Sequence, residues 1–261
     1  MLKMRIITAI VALAALGIVL FVVPAPMAEL IIGVLIVAGA WEWSGFLSLP
    51  SAASRSTYVV IIGVLLVASY ALLPTVSVFV LQIGFLWWFT AFIWALFFPT
   101  PIPLSVRWVT GALVLVPLFV ALVLLYRFGP GILLFALLIV WAADAGAYFA
   151  GKQFGRVKLA PSISPGKTWE GVIGGLLVVT LLAVGAAYWS DKSLTVLLPF
   201  CLAVATLSVV GDLTVSMFKR TVGLKDSGTL FPGHGGVLDR IDSVAAAAPL
   251  FALGLGWLGL V

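Results

Sequence analysis

Long apolar runs, separated by short polar segments, dominate the hydrophobic pattern of this chain from one end to the other. Most runs approach the roughly 20 apolar residues with which a helix crosses a bilayer while satisfying its own backbone groups. Pro74 alone separates the third run from the fourth. The pattern predicts nine membrane-spanning helices, at residues 5–23, 27–48, 57–74, 76–98, 106–126, 129–150, 169–189, 194–216 and 243–260.

The first run also has the basic start and apolar middle of a secretory signal peptide. Its apolar stretch from Ile6 to Val23 is longer than the usual signal-peptide core, and PAPMAE is a poor cleavage site. We therefore expect the first helix to be retained. The prediction is an all-α, polytopic membrane bundle that forms a single domain over residues 1–261. Helices within residues 5–126 would form a scaffold, and helices within residues 129–260 would carry a polar cavity.

Composition excludes an ordinary soluble domain. The chain is 64% hydrophobic and 9% charged, with a mean hydropathy of +1.29, whereas soluble proteins are about 45–50% apolar and about 25% charged. The net charge of +5 would suggest nucleic acid as a partner of a soluble protein. In a membrane protein, basic loops orient the helices and meet anionic lipid headgroups, so we expect membrane lipid and no nucleic acid as partners.

The distribution of lysine and arginine predicts the orientation of the bundle. With nine spans, 12 of the 14 basic residues fall on the side of the N-terminus, and only Arg127 and Lys192 fall on the other. The positive-inside rule then places the N-terminus in the cytoplasm and the C-terminus outside. The segments that follow the sixth and eighth helices would face the cytoplasm.

Six of the nine acidic residues cluster at the predicted cytoplasmic ends of the last four helices. A carboxylate at the centre of a membrane helix costs about 2.5–3.5 kcal/mol or more, so such groups usually face a partner or a watery cavity. Clustering at one depth predicts one shared polar cavity. The six residues are Asp144, Glu170, Asp212, Asp226, Asp239 and Asp242.

Two segments of this cluster carry a helical spacing. In GDLTVSMFKR, the residues Asp212, Ser216 and Lys219 are spaced i, i+4 and i+7, which places them on one helix face. In HGGVLDRID, a helix that begins near Gly236 would put Asp239 and Asp242 on one face. Carboxylates, water and phosphate oxygens are the ligands that Mg²⁺ prefers. The alternative is an ordinary helix start at which aspartates are favoured by the dipole.

A third segment, DAGAYFAGKQFGRVKLAPSISPGKTWEG, begins with Asp144 near a helix end. We expect a turn at residues 164–166, with Lys167 and Thr168 where the amides of a helix start can hold a phosphate. GKT is the end of a Walker A loop, but the upstream GxxxxGK spacing is absent and no strand precedes it, so a P-loop is excluded. Together the segments describe a site for phosphoryl or nucleotidyl transfer with Mg²⁺.

The segment SMFKRTVGLKDSGTLFPGHGGVLDRID (residues 216–242) closely resembles the signature of the phosphatidate cytidylyltransferases, also called CDP-diacylglycerol synthases. The residues 144–171 are similar to the second conserved block of that family. Together the two blocks cover about a fifth of the chain. The resemblance implies transfer of CMP from CTP to phosphatidate, giving CDP-diacylglycerol and pyrophosphate in phospholipid biosynthesis. It also implies a requirement for Mg²⁺, a monovalent cation such as K⁺, homodimers, and a place in the bacterial cytoplasmic (inner) membrane.

The resemblance further implies roles for individual residues. Asp212 and Asp239 would be catalytic metal ligands, with Ser216 and Lys219 beside them. Asp226 and Asp242 would assist through hydrogen bonds or bind a cation. The substrate-binding candidates are Lys167, Arg220, Lys225, His234, Gly235, Gly236, Arg240 and Asp144.

Two other functions remain open at this stage. A CTP-dependent polyprenol or phytol kinase would share the nucleotide and the metal, but its lipid product would carry a phosphate instead of CMP. A membrane transporter would concentrate polar residues near the bilayer midplane and often shows repeated halves. The polar residues of this chain lie on one side of the membrane and in its C-terminal half, which favours the transferase.

Overall fold

The computed structural model describes residues 2–190, 192–230 and 235–259, with residues 2–9 as helical backbone only. Within these residues the chain forms nine α-helices, one short 3₁₀ helix at Ser44–Leu47 and one two-stranded hairpin. The helices are α1 (Leu2–Phe21), α2 (Ala25–Trp43), α3 (Ala52–Ala71), α4 (Leu73–Leu96), α5 (Leu104–Phe128), α6 (Pro130–Phe154), α7 (Trp169–Ser190), α8 (Leu194–Thr221) and α9 (Leu238–Trp257). The strands of the hairpin are β1 (Lys158–Ala160) and β2 (Ser164–Thr168).

The nine predicted helices are confirmed, and the protein is an integral membrane bundle. Within the described residues, seven helices, α2 to α8, are long and apolar enough to cross a membrane. α9 carries Asp239, Arg240 and Asp242 in its first five residues, and its other residues are apolar except Ser243. It stays a prediction that α1 and α9 also cross the membrane. The side of the membrane that each terminus faces is likewise still a prediction.

Local chemistry explains where the third and fourth helices divide. Ser51 caps α3 through a reciprocal pair of hydrogen bonds with Ser54, which satisfies amide groups at the helix start. Pro74 lies in the first turn of α4, where its missing N–H costs nothing, and the chain breaks at Leu72. The predicted separation at Pro74 is therefore confirmed.

Helix α9 lies inside the bundle and packs against α8, α5 and α4. Nearly all of its residues from 242 to 255 are buried, including the four consecutive alanines 245–248. Small side chains let neighbouring helices approach closely within a membrane. At Gly211 of α8, an added Cβ atom would overlap the carbonyl oxygen of Asp242. The close contact places the acidic residues of α8 and α9 next to each other.

The segment between α6 and α7 differs from the prediction of a turn at residues 164–166. These residues belong to strand β2, which pairs antiparallel with β1, and the turn lies earlier, at Pro161–Ile163. Pairing Lys158 with Thr168 and Ala160 with Ser164 closes the hairpin just before α7. The sequence does not predict this hairpin, because its strands are too short for an alternation of apolar and polar residues to appear. Lys167 is thereby placed on a strand, one residue before the last residue of β2.

The two ends of the bundle both contain buried charge. At one end, Arg127 of α5 makes two hydrogen bonds of 2.6 and 2.9 Å with the carboxylate of Glu29 on α2, and Tyr70 of α3 donates a third at 2.7 Å. This cluster links three helices. The other end, formed by the ends of α2 and α8, the start of α9 and the hairpin, is called the polar end below. Trp43 and Phe218 pack there with ring centroids 5.2 Å apart.

Candidate functional site

Asp212 of α8 lies at the centre of the polar end. Ser216, one turn further along α8, donates a hydrogen bond of 3.1 Å to Asp212 Oδ1, so the predicted common face of Asp212 and Ser216 is confirmed. The hairpin brings Lys167 Nζ to 2.5 Å from Asp212 Oδ2. Both side chains of this ion pair are about a quarter exposed, at 26% and 28%. The pair is thus partly open to water and to ligands.

A second ion pair joins α8 to α9. Lys219 Nζ lies 2.7 Å from Asp239 Oδ1, and both side chains are less than 10% exposed. The other oxygen of Asp239 accepts hydrogen bonds of 2.9 Å from the backbone N–H groups of Ser227 and Gly236. The carboxylate of Asp239 thereby holds the segment that leads into α9. The buried charges of Lys219 and Asp239 stabilise the protein only together, because removing either side chain would leave the other charge buried and unpaired.

Two further carboxylates face the Asp212 pair. Asp242 is buried at 8% exposure, and its Oδ1 accepts a hydrogen bond of 2.9 Å from the backbone N–H of Ser243. The carboxyl group of Asp242 lies near Asp212, Lys219 and Lys167. Asp144 is accessible, and its charge interacts with those of Asp212 and Lys167. The polar end therefore brings four aspartates together with two lysines in an otherwise apolar bundle.

The donor set at this end suits a hard cation. Mg²⁺ usually keeps several waters and is bound through one or two carboxylates plus substrate phosphates. Asp212 and Asp242 supply two such carboxylates on adjacent helices, with Asp144 nearby. Within the described ranges no group of three or more acidic, histidine or cysteine side chains is arranged to hold a metal by itself. The residues fit a Mg²⁺ ion that completes its coordination with water and phosphate.

The remaining basic candidates have different surroundings. Arg220 donates from Nε to the carbonyl of Ile163 at 3.1 Å and from a terminal nitrogen to the carbonyl of Leu224 at 3.3 Å, so it ties the hairpin turn to α8. Arg240 is exposed, and its charge interacts with that of Asp144.

The structure does not bring every predicted residue into the cluster. Lys225 and Asp226 are exposed, and neither side chain makes a hydrogen bond or ion pair with another described residue. His234 lies outside the described residues. The substrate and metal roles predicted for these three residues stay predictions.

The two glycines before α9 lie against carboxylates. Gly235 has a φ of +80°, and an added Cβ atom there would lie 2.5 Å from Asp239 Oδ2. At Gly236, an added Cβ atom would overlap the carboxylate of Glu42. Glycine therefore meets two demands here, a left-handed backbone and a close approach to charged oxygens. The substrate contacts predicted for these glycines stay predictions.

Sequence reasoning missed Glu42, the second acidic residue of α2. It is 7% exposed, and its carboxylate accepts hydrogen bonds from the segment before α9 and from α9 itself. The position of Glu42 in the sequence could have identified it as a site residue. Glu42 lies at the end of an apolar helix and at the same depth as the acidic cluster, but two of its three hydrogen-bond donors are backbone N–H groups, which no residue pattern reveals.

Comparison with known proteins agrees with the chemistry of this site. The sequence profile of the cytidylyltransferase family matches residues 3–257. A phosphatidate cytidylyltransferase of Pseudomonas aeruginosa is 44% identical over 98% of this chain and 99% of its own length. A phosphatidate cytidylyltransferase of Haemophilus influenzae is 39% identical over 97% of this chain and 98% of its own. One from Staphylococcus aureus is 48% identical over 45% of this chain and 46% of its own.

Proposed function

The chain belongs to the cytidylyltransferase family, and we propose that it is a phosphatidate cytidylyltransferase, which makes CDP-diacylglycerol for phospholipid biosynthesis. Two relatives that bear this name cover almost the whole chain at 39 and 44% identity. Its substrates are CTP and phosphatidate. A phosphate oxygen of phosphatidate forms a bond to the α-phosphorus of CTP. The bond between the α-phosphorus and the oxygen that bridges it to the β-phosphorus breaks, and pyrophosphate leaves with that oxygen.

The observation that carries the proposal is the cluster around Asp212. Carboxylates that bind a cation and lysines that bind phosphate lie together at one end of a membrane bundle. Transfer of a nucleotidyl group needs these two elements, because charge accumulates on the phosphate oxygens as the new bond forms and the old one breaks. A lipid substrate also needs a site at the end of apolar helices.

The proposed metal residues are Asp212 and Asp242, with Asp144 at the edge of the same site. When bound, Mg²⁺ supplies positive charge that offsets the charge of the triphosphate and of the leaving pyrophosphate. The ligand role predicted for Asp239 stays a prediction, and it would require Lys219 to leave Asp239 Oδ1.

The basic residues divide between the two substrates. We propose that Lys167 binds the triphosphate, since it lies on the hairpin at the open side of the cluster, 2.5 Å from Asp212. Lys219 is buried deeper and places its amino group beside Asp239 and near Asp212 and Asp242. Exposed Arg240 is the proposed contact for the phosphate of phosphatidate, and Arg220 holds the hairpin turn that carries Lys167 in place.

The location of the enzyme and its assembly belong to the same proposal. The excess of lysine and arginine on one side supports a site that faces the cytoplasm, where CTP is present. The bacterial relatives support a place in the cytoplasmic (inner) membrane. Assembly as a homodimer and use of a monovalent cation rest on the family resemblance alone.

The proposed function is tested by product analysis. Purified protein in lipid-containing micelles is given Mg²⁺, CTP and either phosphatidate or a polyprenol. We expect CDP-diacylglycerol and pyrophosphate in equal amounts with phosphatidate, measured by mass spectrometry and by a pyrophosphate assay. Phosphorylated polyprenol together with CDP, and no CDP-diacylglycerol, would contradict the proposal.

A further inference from the structure

Glu42 stands apart from the other acidic residues of the polar end because it comes from the N-terminal part of the chain. The first 129 residues contain only two acidic residues, Glu29 and Glu42, and both lie on α2. They are 13 residues apart, which is about 20 Å along a helix. Glu29 belongs to the cluster with Arg127 at the opposite end of the bundle. Glu42 reaches the segment before α9.

The contacts of Glu42 use both carboxylate oxygens. Oε1 accepts a hydrogen bond of 2.8 Å from the backbone N–H of Val237, and Oε2 accepts one of 2.8 Å from the backbone N–H of Leu238. Ser227 Oγ donates a third, also of 2.8 Å, to Oε2. Among the residues that the structure describes, no lysine or arginine pairs with this carboxylate. Its charge is balanced by amide groups at the positive end of α9.

The surrounding backbone is shaped around this carboxylate. An added Cβ atom at Gly228 would lie 2.5 Å from Glu42 Oε1, and one at Gly236 would overlap the same carboxylate. No larger residue fits at either position without moving Glu42. The carboxylate therefore fills a space that Gly228 and Gly236 leave open.

Glu42 and Asp239 hold the same segment from two sides. The backbone N–H of Ser227 donates to Asp239 Oδ2, while its hydroxyl donates to Glu42 Oε2. Asp239 in turn pairs with Lys219. A continuous chain of contacts thus leads from Glu42 on α2, through Ser227 and the start of α9, to the buried ion pair of the site.

We propose that Glu42 is a positioning residue of the transferase, an inference that rests on the proposed function. It fixes Ser227 and the start of α9, so that Asp239 and Lys219 keep the geometry that the reaction needs. Transfer reactions depend steeply on such geometry, because a displacement of about 1 Å can cost about 100-fold in rate. Glu42 touches no reacting atom in this role.

The first test compares Glu42→Gln with the matched variant Glu29→Gln on the same helix. Glutamine keeps one acceptor oxygen but turns an NH₂ group toward a backbone N–H. Since a hydrogen bond to a charged group is worth more than a tenfold factor, we expect kcat to fall by about tenfold or more. The KM values for CTP and phosphatidate should change by less than about threefold. Glu29→Gln should lower the melting temperature and leave kcat within about twofold.

Ser227→Ala provides a milder variant that removes only one contact. We expect it to lower kcat by roughly threefold, since a typical hydrogen bond contributes modestly. Added to Glu42→Gln, it should cause almost no further loss, because the two residues act through one contact. Independent losses that multiply, or an equal loss of kcat in Glu29→Gln and Glu42→Gln, would overturn the proposal.

A second readout does not depend on activity. Thr229 is exposed and the only cysteine, Cys201, is buried, so a nitroxide label attached at Thr229→Cys reports the segment alone. We expect its spectrum to show a restricted label in the otherwise unchanged chain, a mobile label with Glu42→Gln, and a restricted label with Glu29→Gln. An unchanged spectrum with Glu42→Gln would overturn the positioning role even if CMP transfer is intact. A chain without CMP transfer but with the expected spectra would overturn the proposed function instead.

Discussion

Lys219 on α8 and Asp239 on α9 form a buried ion pair, with 2.7 Å between Nζ and Oδ1 and with both side chains less than 10% exposed. Asp239 also accepts two backbone hydrogen bonds from the segment before α9. The pair therefore joins α8 and α9 to the backbone of Ser227 and Gly236. Both residues of the pair belong to the 216–242 segment that resembles the family signature. Because both charges are buried, each holds the other in place.

Asp239→Asn should abolish turnover, with a fall in kcat of at least about 100-fold. The substitution removes the charge opposite Lys219 and turns an NH₂ group toward either the lysine or two backbone donors, which leaves a buried cation unpaired. The amount of variant in the membrane fraction should match that of the unchanged protein. CMP transfer is measured in purified protein, and rates close to those of the unchanged protein would remove Asp239 from the site.

Lys167→Met should raise the KM for CTP by about tenfold or more, because it removes a partly exposed cation that lies 2.5 Å from Asp212. Lys167→Arg should restore part of the loss. Lys158→Met is the matched control, since Lys158 lies on the other strand of the same hairpin and is exposed. Steady-state kinetics at varied CTP check the prediction, which fails if the two methionine variants behave alike.

Gly211→Ala should lower both activity and stability. The added Cβ atom would overlap the carbonyl oxygen of Asp242, so α8 and α9 must move apart and the carboxylates of Asp212 and Asp242 separate. Overpacking of this kind costs about 1–3 kcal/mol. Gly185→Ala in α7 is the control, because nothing lies within 4 Å of its Cβ position. Thermal melting in detergent and CMP transfer should change in the first variant only.

Removal of divalent cations should abolish CMP transfer, and added Mg²⁺ should restore it. Asp242→Asn should raise the Mg²⁺ concentration needed for half-maximal rate by about tenfold, since the buried carboxylate is one of two proposed ligands. Glu29→Gln, at the opposite end of the bundle, should leave this concentration unchanged. A Mg²⁺ dependence that is identical in both variants would exclude Asp242 as a ligand.

Much of the fold follows from hydropathy because the bilayer permits few alternatives. Each apolar run must satisfy its own backbone hydrogen bonds, so the nine helices are visible in the sequence within a few residues. The common face of Asp212 and Ser216 follows equally from helical spacing. The hairpin at residues 158–168 does not, since its strands of three and five residues are too short for alternation to appear.

The sequence predicted which residues belong to the site, but it did not predict which of them form ion pairs with each other. Spacing places Lys219 on the face of Asp212, yet its ion-pair partner is Asp239, and the partner of Asp212 is Lys167 from the hairpin. Such pairing depends on how three separate segments approach one another. Glu42 illustrates the limit most clearly, because two of its three hydrogen-bond donors are backbone amides almost 200 positions away, which every residue type presents alike.

The central claim, that this chain transfers CMP and not phosphate to a lipid, is tested most directly by the position of a label in CTP. Purified protein is incubated with Mg²⁺ and phosphatidate, once with CTP labelled at the α-phosphorus and once with CTP labelled at the γ-phosphorus. We predict label in the extracted lipid from the α position only, with the γ label recovered in pyrophosphate. Label in the lipid from the γ position only would contradict the account and identify a kinase.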